Sequence, residues 1–266
     1  MEQILIPVLT LGILGLLFGI GLAVASRRFH VDVDPRFEKI SALLPGSNCG
    51  SCGKAGCFGF AESLLTSEGD IDKCRVAGLA NKESIAQILG RKLEKRSKLT
   101  ARLRCNGGTK VKDKFIYAQI QDCAAANLVM GGQKECVFGC LGFGNCQRVC
   151  PFDAIRMSKE RLPVIDDDKC KACGKCVIAC PKKLFVLSPV DSPVYVACSS
   201  HYGGKDVRAV CPVGCISCKL CEKSCPCGAI QVIDNLARID YKKCTSCGKC
   251  VDACPRKTIV IKKKGA

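Results

Sequence analysis

Four runs of closely spaced cysteines constrain this chain more than any other feature of its sequence. The runs begin at Cys136, Cys170, Cys215 and Cys244, and each of them ends in a Cys-Pro pair. Thiols so close along the chain meet at one point of the fold, which is typical of metal ligands in a reducing compartment. The total of 25 cysteines is odd, which also disfavours a fully paired disulfide framework. The runs therefore predict several metal centres around which the chain must fold.

The last two runs have the spacing C-x2-C-x2-C-x3-C-P, which is the pattern of bacterial ferredoxins with two [4Fe–4S] clusters. In that pattern the first three cysteines hold one cluster and the fourth ligates the partner cluster. We therefore predict one cluster on Cys215, Cys218, Cys221 and Cys254, and a second on Cys225, Cys244, Cys247 and Cys250. The alternative is a zinc ribbon, which needs isolated C-x2-C pairs and leaves the other cysteines of each run without a role.

The first two runs form a similar pair in which one member is stretched. The sequences CPFDAIRM…LPVIDDDKC and CPCGAIQV…LARIDYKKC show that two blocks, residues 135–187 and 213–266, repeat one module. By the same exchange of fourth ligands, the first block is predicted to hold two clusters. Their predicted ligands are Cys136, Cys140, Cys146 and Cys180 for one, and Cys150, Cys170, Cys173 and Cys176 for the other.

A fifth group of cysteines lies in a short segment near the N-terminus and has a different pattern. Its members are Cys49, Cys52, Cys57 and Cys74. We predict a fifth [4Fe–4S] cluster held by one small domain, with a zinc site as the alternative.

Five cysteines remain after these assignments. Four of them flank the first block, and we predict a sixth cluster on Cys105, Cys123, Cys198 and Cys211. The fifth, Cys227, falls in a tight turn and is interpreted as a small apolar residue without a ligand role.

The N-terminal segment Gln3–Ser26 contains no charged residue. At about 1.5 Å per residue, a helix of its 22 central residues reaches about 33 Å, which is enough to cross the core of a bilayer. A cleaved signal peptide is the alternative, but such peptides begin with basic residues, and this chain begins Met-Glu-Gln. The segment therefore predicts a single-pass anchor in the inner cell membrane. Arg27 and Arg28 follow it, so the positive-inside rule predicts that the bulk of the chain lies in the cytoplasm.

The predicted fold class is α+β: one transmembrane helix, a small four-cysteine domain and two bacterial-ferredoxin-like modules. Helices are expected after Asp34-Pro35 and over residues 84–93. The predicted parts are an anchor (1–28), the four-cysteine domain (29–90), a basic connector (91–134), the first module (135–187), a second connector (188–212) and the second module (213–266).

Charge and missing motifs narrow the functional classes. The formal net charge is +17, which raises the alternative of a nucleic-acid-binding zinc protein. The absence of tryptophan and the scarcity of other aromatic residues disfavour base stacking, and no nucleic acid is expected as a partner. The sequence has no dinucleotide-binding glycine motif, phosphate-binding loop or nucleophile–base pair, so we predict electron transfer without a substrate-converting site.

The order of these parts resembles the B subunits of Rnf complexes. The resemblance rests on the apolar N-terminal helix, the segments LLPGSNCGSCGKAGC and GCLGFGNCQRVCPFDAI, and the paired ferredoxin-like runs, and it covers nearly the whole chain. It implies a subunit of a membrane-bound, ion-pumping ferredoxin:NAD oxidoreductase that takes electrons from soluble reduced ferredoxin. The implied partners are the lipid bilayer and the other subunits of the complex, A, C, D, E and G. A polyferredoxin subunit of another membrane redox complex is the alternative.

Overall fold

A computed structural model of the chain describes residues 2–29, 34–66, 69–93 and 97–262. Residues 94–96 of the predicted basic connector and 263–266 of the predicted second module lie outside this description. Helix α1, Glu2–Arg28, contains the predicted anchor. Within its segment Val8–Arg28, a window of 18 residues has a mean hydropathy of 2.5 and none of the window is buried. Among the described residues, this is the one helix long and apolar enough to cross a membrane.

The four-cysteine domain is a small bundle of helices. These are α2, Pro35–Leu43, α3, Cys57–Leu65, a 3-10 turn at Ile71–Lys73, and α4, Leu79–Leu89. Asp34 caps α2 as predicted, because its carboxylate accepts a hydrogen bond from the backbone N–H of Arg36. Helix α4 begins and ends earlier than predicted, since Gly90 adopts a left-handed conformation that terminates it. The core of the bundle is formed by Ile40, Phe60, Leu64 and Ile85.

The rest of the chain is built from short strands and short helices. The strands are β1, Leu99–Leu103, β2, Ile155–Met157, β3, Pro163–Ile165, β4, Phe185–Pro189, β5, Val194–Val196, β6, Ile230–Ile233, β7, Leu236–Ile239, and β8, Ile259–Ile261. The helices are α5, Cys123–Leu128, α6, Asn145–Arg148, α7, Lys175–Ala179, α8, Gly204–Val210, α9, Leu220–Lys223, and α10, Lys249–Asp252, with a 3-10 turn at Gly108–Lys110. The mixed α and β composition agrees with the predicted class.

These strands pair in four separate two-stranded antiparallel sheets. Strand β2 pairs with β3, and β6 pairs with β7, each as a hairpin within one repeated block. Strand β1 pairs with β4, and β5 pairs with β8, so each module gains a strand that precedes its first cysteine run. Both predicted connectors thus contribute to the module folds, because their strands cover the edges left open by β4 and β8.

The two modules contact each other through a polar cluster. The carboxylate of Asp167 in the first module accepts hydrogen bonds from Thr100 and Arg102, at 2.8 and 2.7 Å. Its oxygen Oδ1 also lies 2.9 Å from Nζ of Lys262, at the end of the second module. The side chain of Arg102 is only 2% exposed and lies over the ring of Tyr195, which belongs to β5. This cluster ties the N-terminal strand of one repeat to the C-terminal strand of the other.

Candidate metal centres

The second module encloses two small cavities, each of about 20 Å³ and each surrounded by thiols. One is lined by Cys215, Cys218, Cys221 and Cys254. The other is lined by Cys225, Cys244, Cys247 and Cys250, together with Cys227. The structure thus brings together the same two sets of thiols that the spacing groups, because α9 and α10 each carry a cysteine into one cavity and direct the chain toward the other.

The first module encloses two cavities of the same size. One is lined by Cys150, Cys170, Cys173 and Cys176, which is the set that the spacing groups. The other is lined by Cys123, Cys140, Cys146 and Cys180. This second set differs from the sequence prediction, which placed Cys136 there and assigned Cys123 to the sixth cluster.

Helix α5 explains why Cys123 enters this cavity. Asp122 caps α5, and its carboxylate also accepts hydrogen bonds from Asn145 and Arg148 on α6. The side-chain oxygen of Asn145 accepts a hydrogen bond from the backbone N–H of Cys123 at 2.8 Å. Helix α5 is therefore held against the helix that carries Cys146. The thiol of Cys123 reaches the cavity from outside the cysteine run.

A comparison of the cysteine spacing in the two modules indicates why this cavity takes a thiol from outside the run. The segments starting at Cys136 and Cys211 both read C-x3-C-x5-C-x3-C-P. In this alignment Phe143 stands at the position that Cys218 occupies in the second module. The ring of Phe143 packs near Tyr117 and lies beneath the guanidinium of Arg161. The first module thus lacks a thiol at that position, and Cys123 supplies it.

Cys136 instead lies with the three remaining connector cysteines. It is 6% exposed, and its thiol interacts electrostatically with those of Cys105, Cys198 and Cys211. The structure thus groups Cys136 with Cys105, Cys198 and Cys211, where the sequence prediction had placed Cys123. The predicted turn residue Cys227 is only half-buried, and its Sγ lies 3.7 Å from Sγ of Cys225.

Burial makes these thiols poor acids in the absence of a cation. It raises the pKa of Cys146, Cys176 and Cys221 to about 12, and neighbouring thiols add to the effect. Four thiolates in one small cavity are stable only beside a strong positive charge, which iron supplies, since a coordinating thiol is deprotonated outright. The donor sets of the four cavities thus fit a metal cluster with one thiolate at each iron.

Backbone N–H groups are placed to bond the sulfurs. The N–H groups of Leu184, Ala229 and Thr258 lie 3.3–3.4 Å from Sγ of Cys180, Cys225 and Cys254, respectively. In each case the donor lies four residues after the fourth cysteine of a run, where the Cys-Pro turn leads toward a strand. Hydrogen bonds to cluster sulfurs are one of the factors that set the reduction potential.

The four-cysteine domain brings at least three of its thiols near one another. Burial raises the pKa of Cys74, and its thiol interacts with those of Cys52 and Cys57. The thiol of Cys49 interacts with that of Cys173 in the first module. The N-terminal group is therefore the neighbour of one cavity of the first module.

A mononuclear centre requires the thiolates to approach one ion to about 2.3 Å. Among the residues that the structure describes, no group of three or more Cys, His, Asp or Glu side chains is placed in this way. In the two modules the thiols line cavities instead, which is the arrangement that a polynuclear cluster requires.

Gly56 provides a test of the four-cysteine domain. It has a φ of +115°, and a β-carbon there would lie 2.8 Å from Oδ1 of Asn48. That oxygen accepts the hydrogen bond from the backbone N–H of Cys57 at 2.8 Å. We expect Gly56→Ala to destabilise the domain by about 1–3 kcal/mol and to accelerate iron loss from its centre.

The matched control is Gly59→Ala in the same helix. Its nearest neighbour would be Cβ of Lys54 at 4.0 Å, so this change should be neutral or stabilising by about 0.5–1 kcal/mol. Thermal unfolding and chelator-induced iron release measure both effects. Equal behaviour of the two variants would contradict the role assigned to Gly56.

Comparison with known proteins supports the iron–sulfur interpretation. A family described as a putative Fe–S cluster domain matches residues 44–76, and families described as 4Fe–4S dicluster domains match residues 135–184 and 214–259. Cys105, Cys123, Cys198 and Cys211 lie outside these three segments.

Three relatives are similar to the chain over nearly its whole length, and each is the B subunit of an ion-translocating complex. That of the Na(+)-translocating ferredoxin:NAD(+) oxidoreductase complex of Acetobacterium woodii is 43% identical over 97% of this chain and 78% of its own. That of the proton-translocating ferredoxin:NAD(+) oxidoreductase complex of Clostridium ljungdahlii is 41% identical, over 96% and 91%. That of the ion-translocating oxidoreductase complex of Methanosarcina acetivorans is 39% identical, over 94% and 95%.

Proposed function

Because the chain belongs to the family of B subunits of ion-translocating Rnf complexes, we propose that it takes electrons from reduced ferredoxin and relays them to membrane partners. The chain is an iron–sulfur electron-transfer subunit of an ion-translocating ferredoxin:NAD oxidoreductase complex. When bound, [4Fe–4S] clusters supply one-electron chemistry. The protein holds the thiolates and sets the order of the centres.

The observation that carries the relay is that each thiol group adjoins the next. Cys49 of the four-cysteine domain interacts with Cys173. Within the first module, Cys176 interacts with Cys146 of the neighbouring cavity. The backbone N–H of Cys140, in that cavity, lies 3.4 Å from Sγ of Cys105. These proximities place the groups in order from the N-terminal domain through the first module.

The order continues into the second module. The backbone N–H of Cys215 lies 3.5 Å from Sγ of Cys198, which adjoins the first cavity of that module. The two cavities of the second module are linked because each run gives its fourth cysteine to the other cavity. We assign ferredoxin docking to the second module and electron exit to the four-cysteine domain, which follows the anchor in the chain. The net positive charge suits an acidic donor and an anionic membrane surface.

The direction of the relay is tested in the assembled complex. We expect the double variant Cys49→Ala/Cys52→Ala to lose ferredoxin-dependent NAD reduction, because the exit centre is missing. Reduced ferredoxin should still bleach the clusters of the two modules in rapid mixing. Ser51→Ala, which changes one of the two residues between these cysteines and leaves both thiols in place, is the control. Persistence of NAD reduction in the double variant would rule out this exit.

Attachment to the membrane by α1 is a further part of the proposal. The helix ends in Arg27 and Arg28, which favours a cytoplasmic position for the rest of the chain. When the chain is expressed without other subunits, deletion of residues 1–28 should move it from the membrane pellet to the supernatant with its visible spectrum unchanged. Fractionation of the full chain and the deletion in parallel measures this. A deletion variant that still sediments with membranes would contradict the anchor.

A further inference from the structure

The two modules are related by a repeat that is longer than their cysteine runs. Strand β1 ends two residues before Cys105, and β5 ends two residues before Cys198. The C-x3-C-x5-C-x3-C-P segments that follow begin at Cys136 and Cys211. Each repeat therefore has two cysteines that its own two cavities do not use. Cys105 corresponds to Cys198, and Cys136 corresponds to Cys211.

The hydrogen bonds of these cysteines follow the same correspondence. Sγ of Cys105 accepts from the backbone N–H of Cys140, the second cysteine of the first segment. Sγ of Cys198 accepts from the backbone N–H of Cys215, the second cysteine of the other segment. Two equivalent contacts in two repeats indicate a built feature of the module rather than a chance approach of thiols.

The four thiols meet where the repeats face each other. A β-carbon placed on Gly107 would lie 3.7 Å from Sγ of Cys105 and 3.8 Å from Sγ of Cys211, so both sulfurs lie within 4 Å of one point. Cys136 interacts with both of them and with Cys198. Cys136, Cys198 and Cys211 are at most 8% exposed. Four buried thiols that share one location, with no disulfide between them, have the composition of a metal centre.

The surroundings of the group are apolar and basic. Cys136 and Cys211 pack against Val111 and Phe138. The ring of Phe138 lies 5.1 Å from that of Tyr202 in the other repeat, so an aromatic contact joins the two repeats beside Cys136 and Cys211. Arg256 donates a hydrogen bond to the backbone carbonyl of Cys211. A fixed cation beside a buried thiolate group offsets the negative charge of a cluster that carries four thiolates.

We propose that Cys105, Cys136, Cys198 and Cys211 hold a sixth [4Fe–4S] cluster, with two ligands from each repeat. This inference rests on the proposed function of the chain as a carrier of such clusters. The centre lies between the Cys123/Cys140/Cys146/Cys180 group and the Cys215/Cys218/Cys221/Cys254 group, because Cys140 adjoins Cys105 and Cys215 adjoins Cys198. It is the link through which electrons pass from one module to the other, and it joins the modules covalently through iron.

Native mass spectrometry of the anaerobically purified full chain in detergent tests the count directly. Six clusters per chain, or roughly twenty-four irons by chemical analysis, support the proposal. Five clusters with roughly twenty irons overturn it, as does one bound zinc beside five clusters. A total far below twenty would instead refute the wider proposal that the chain carries a row of cubanes, so the two failures are distinguishable.

Paired variants test the ligand set. Cys105 and Cys198 come from different repeats but belong to the same proposed cluster. The double variant Cys105→Ala/Cys198→Ala should therefore lose only about four irons, the same number as Cys105→Ala or Cys198→Ala alone. Cys105→Ala/Cys123→Ala takes ligands from two different sites and should lose about eight. A larger iron loss in Cys105→Ala/Cys198→Ala than in Cys105→Ala/Cys123→Ala would overturn the ligand assignment.

The electron route gives a second measurement that does not depend on iron counts. In Cys105→Ala/Cys198→Ala, reduced ferredoxin should reduce the centres of the second module and leave those of the first module and the four-cysteine domain oxidised. Electron paramagnetic resonance after rapid freezing separates them. Reduction of all remaining centres at the wild-type rate would overturn the bridging role. If the variants do not fold, the wild-type cluster count still decides whether the sixth centre exists.

Discussion

Removal of iron is expected to unfold both ferredoxin-like modules while the helices of the four-cysteine domain stay largely packed. The core of the second module contains ten buried residues, of which four are cysteines: Cys198, Cys215, Cys221 and Cys250. In the four-cysteine domain, Cys74 is the one cysteine among the ten buried core residues. Loss of the metal therefore removes the centre of one core and only an edge of the other.

Secondary structure cannot compensate in the modules. Their strands form two-stranded sheets, which are marginal in water when nothing covers them. The helices α6, α7, α9 and α10 have four or five residues, whereas isolated helices become stable only at about 12–15 residues or more. Cluster binding thus supplies folding free energy for this part of the chain, as structural metals do in other small domains.

Hydrogen exchange with mass spectrometry measures the difference by segment. After anaerobic removal of iron with a chelator, residues 99–262 should lose protection, and α2, α3 and α4 should keep most of theirs. The untreated protein and a reconstituted sample are the controls. Retention of protection in β6 and β7 of the iron-free protein would show that the modules have a sufficient apolar core.

Substitution of Asp167 by Ala should weaken the contact between the modules by about 3 kcal/mol, the lower part of the range for breaking a buried ion pair. We expect a value at the lower end of this range because the pair is only partly buried: the side chain of Asp167 is 23% exposed, whereas that of Arg102 is 2% exposed. The change leaves the guanidinium buried without its carboxylate. Lys262 and Thr100 lose the same partner.

The pKa of Asp167 agrees with this role. Burial by itself would raise it, but hydrogen bonds from Arg102, Lys262 and Thr100 outweigh burial, and the pKa is lowered from 3.8. Because the folded pKa is the lower one, the stabilisation is fully present above pH 3.8 and is lost as the pH falls through the folded value. The ion pair is thus intact near neutral pH, where the variant should be compared with the wild type.

Thermal bleaching of the visible cluster absorbance measures the loss of stability in Asp167→Ala. Asp167→Asn keeps the shape and removes the charge, so an intermediate effect is expected. Asp168→Ala is the matched control, because the neighbouring carboxylate is exposed. Equal bleaching temperatures for the Asp167→Ala and Asp168→Ala variants would contradict the proposed role of Asp167 in holding the modules together.

Short-range features were predictable from the sequence because their cause is local. The apolar run forms α1, Asp34 caps α2, and cysteines two or three residues apart line the same cavity. The position of the fourth cysteine at the cavity of the partner run was also predictable, since it follows from repetition of the run. The bounds of α4 were not, because the left-handed Gly90 ends a helix whose apolar pattern continues.

The positions of Cys123 and Cys136 could not be predicted from local spacing. Cys136 stands within a run, and its position favoured a ligand role in the nearest cavity. Only the contact of α5 with α6, through Asp122 and Asn145, places Cys123 there instead. Repeat alignment shows a missing thiol at Phe143, but it does not say which distant cysteine replaces it.

The spacing of thiols in short loops was sufficient to predict several iron–sulfur centres, because it decides which metals the thiols can bind. The apolar run was sufficient to predict an N-terminal helix long enough to cross a membrane. The tertiary structure alone decided which distant thiols share a site. Pairing of β1 with β4 and of β5 with β8 brings Cys105 and Cys198 to the module boundary. These contacts join chain segments that are far apart in sequence. The local spacing of cysteines therefore does not predict which distant cysteines lie together.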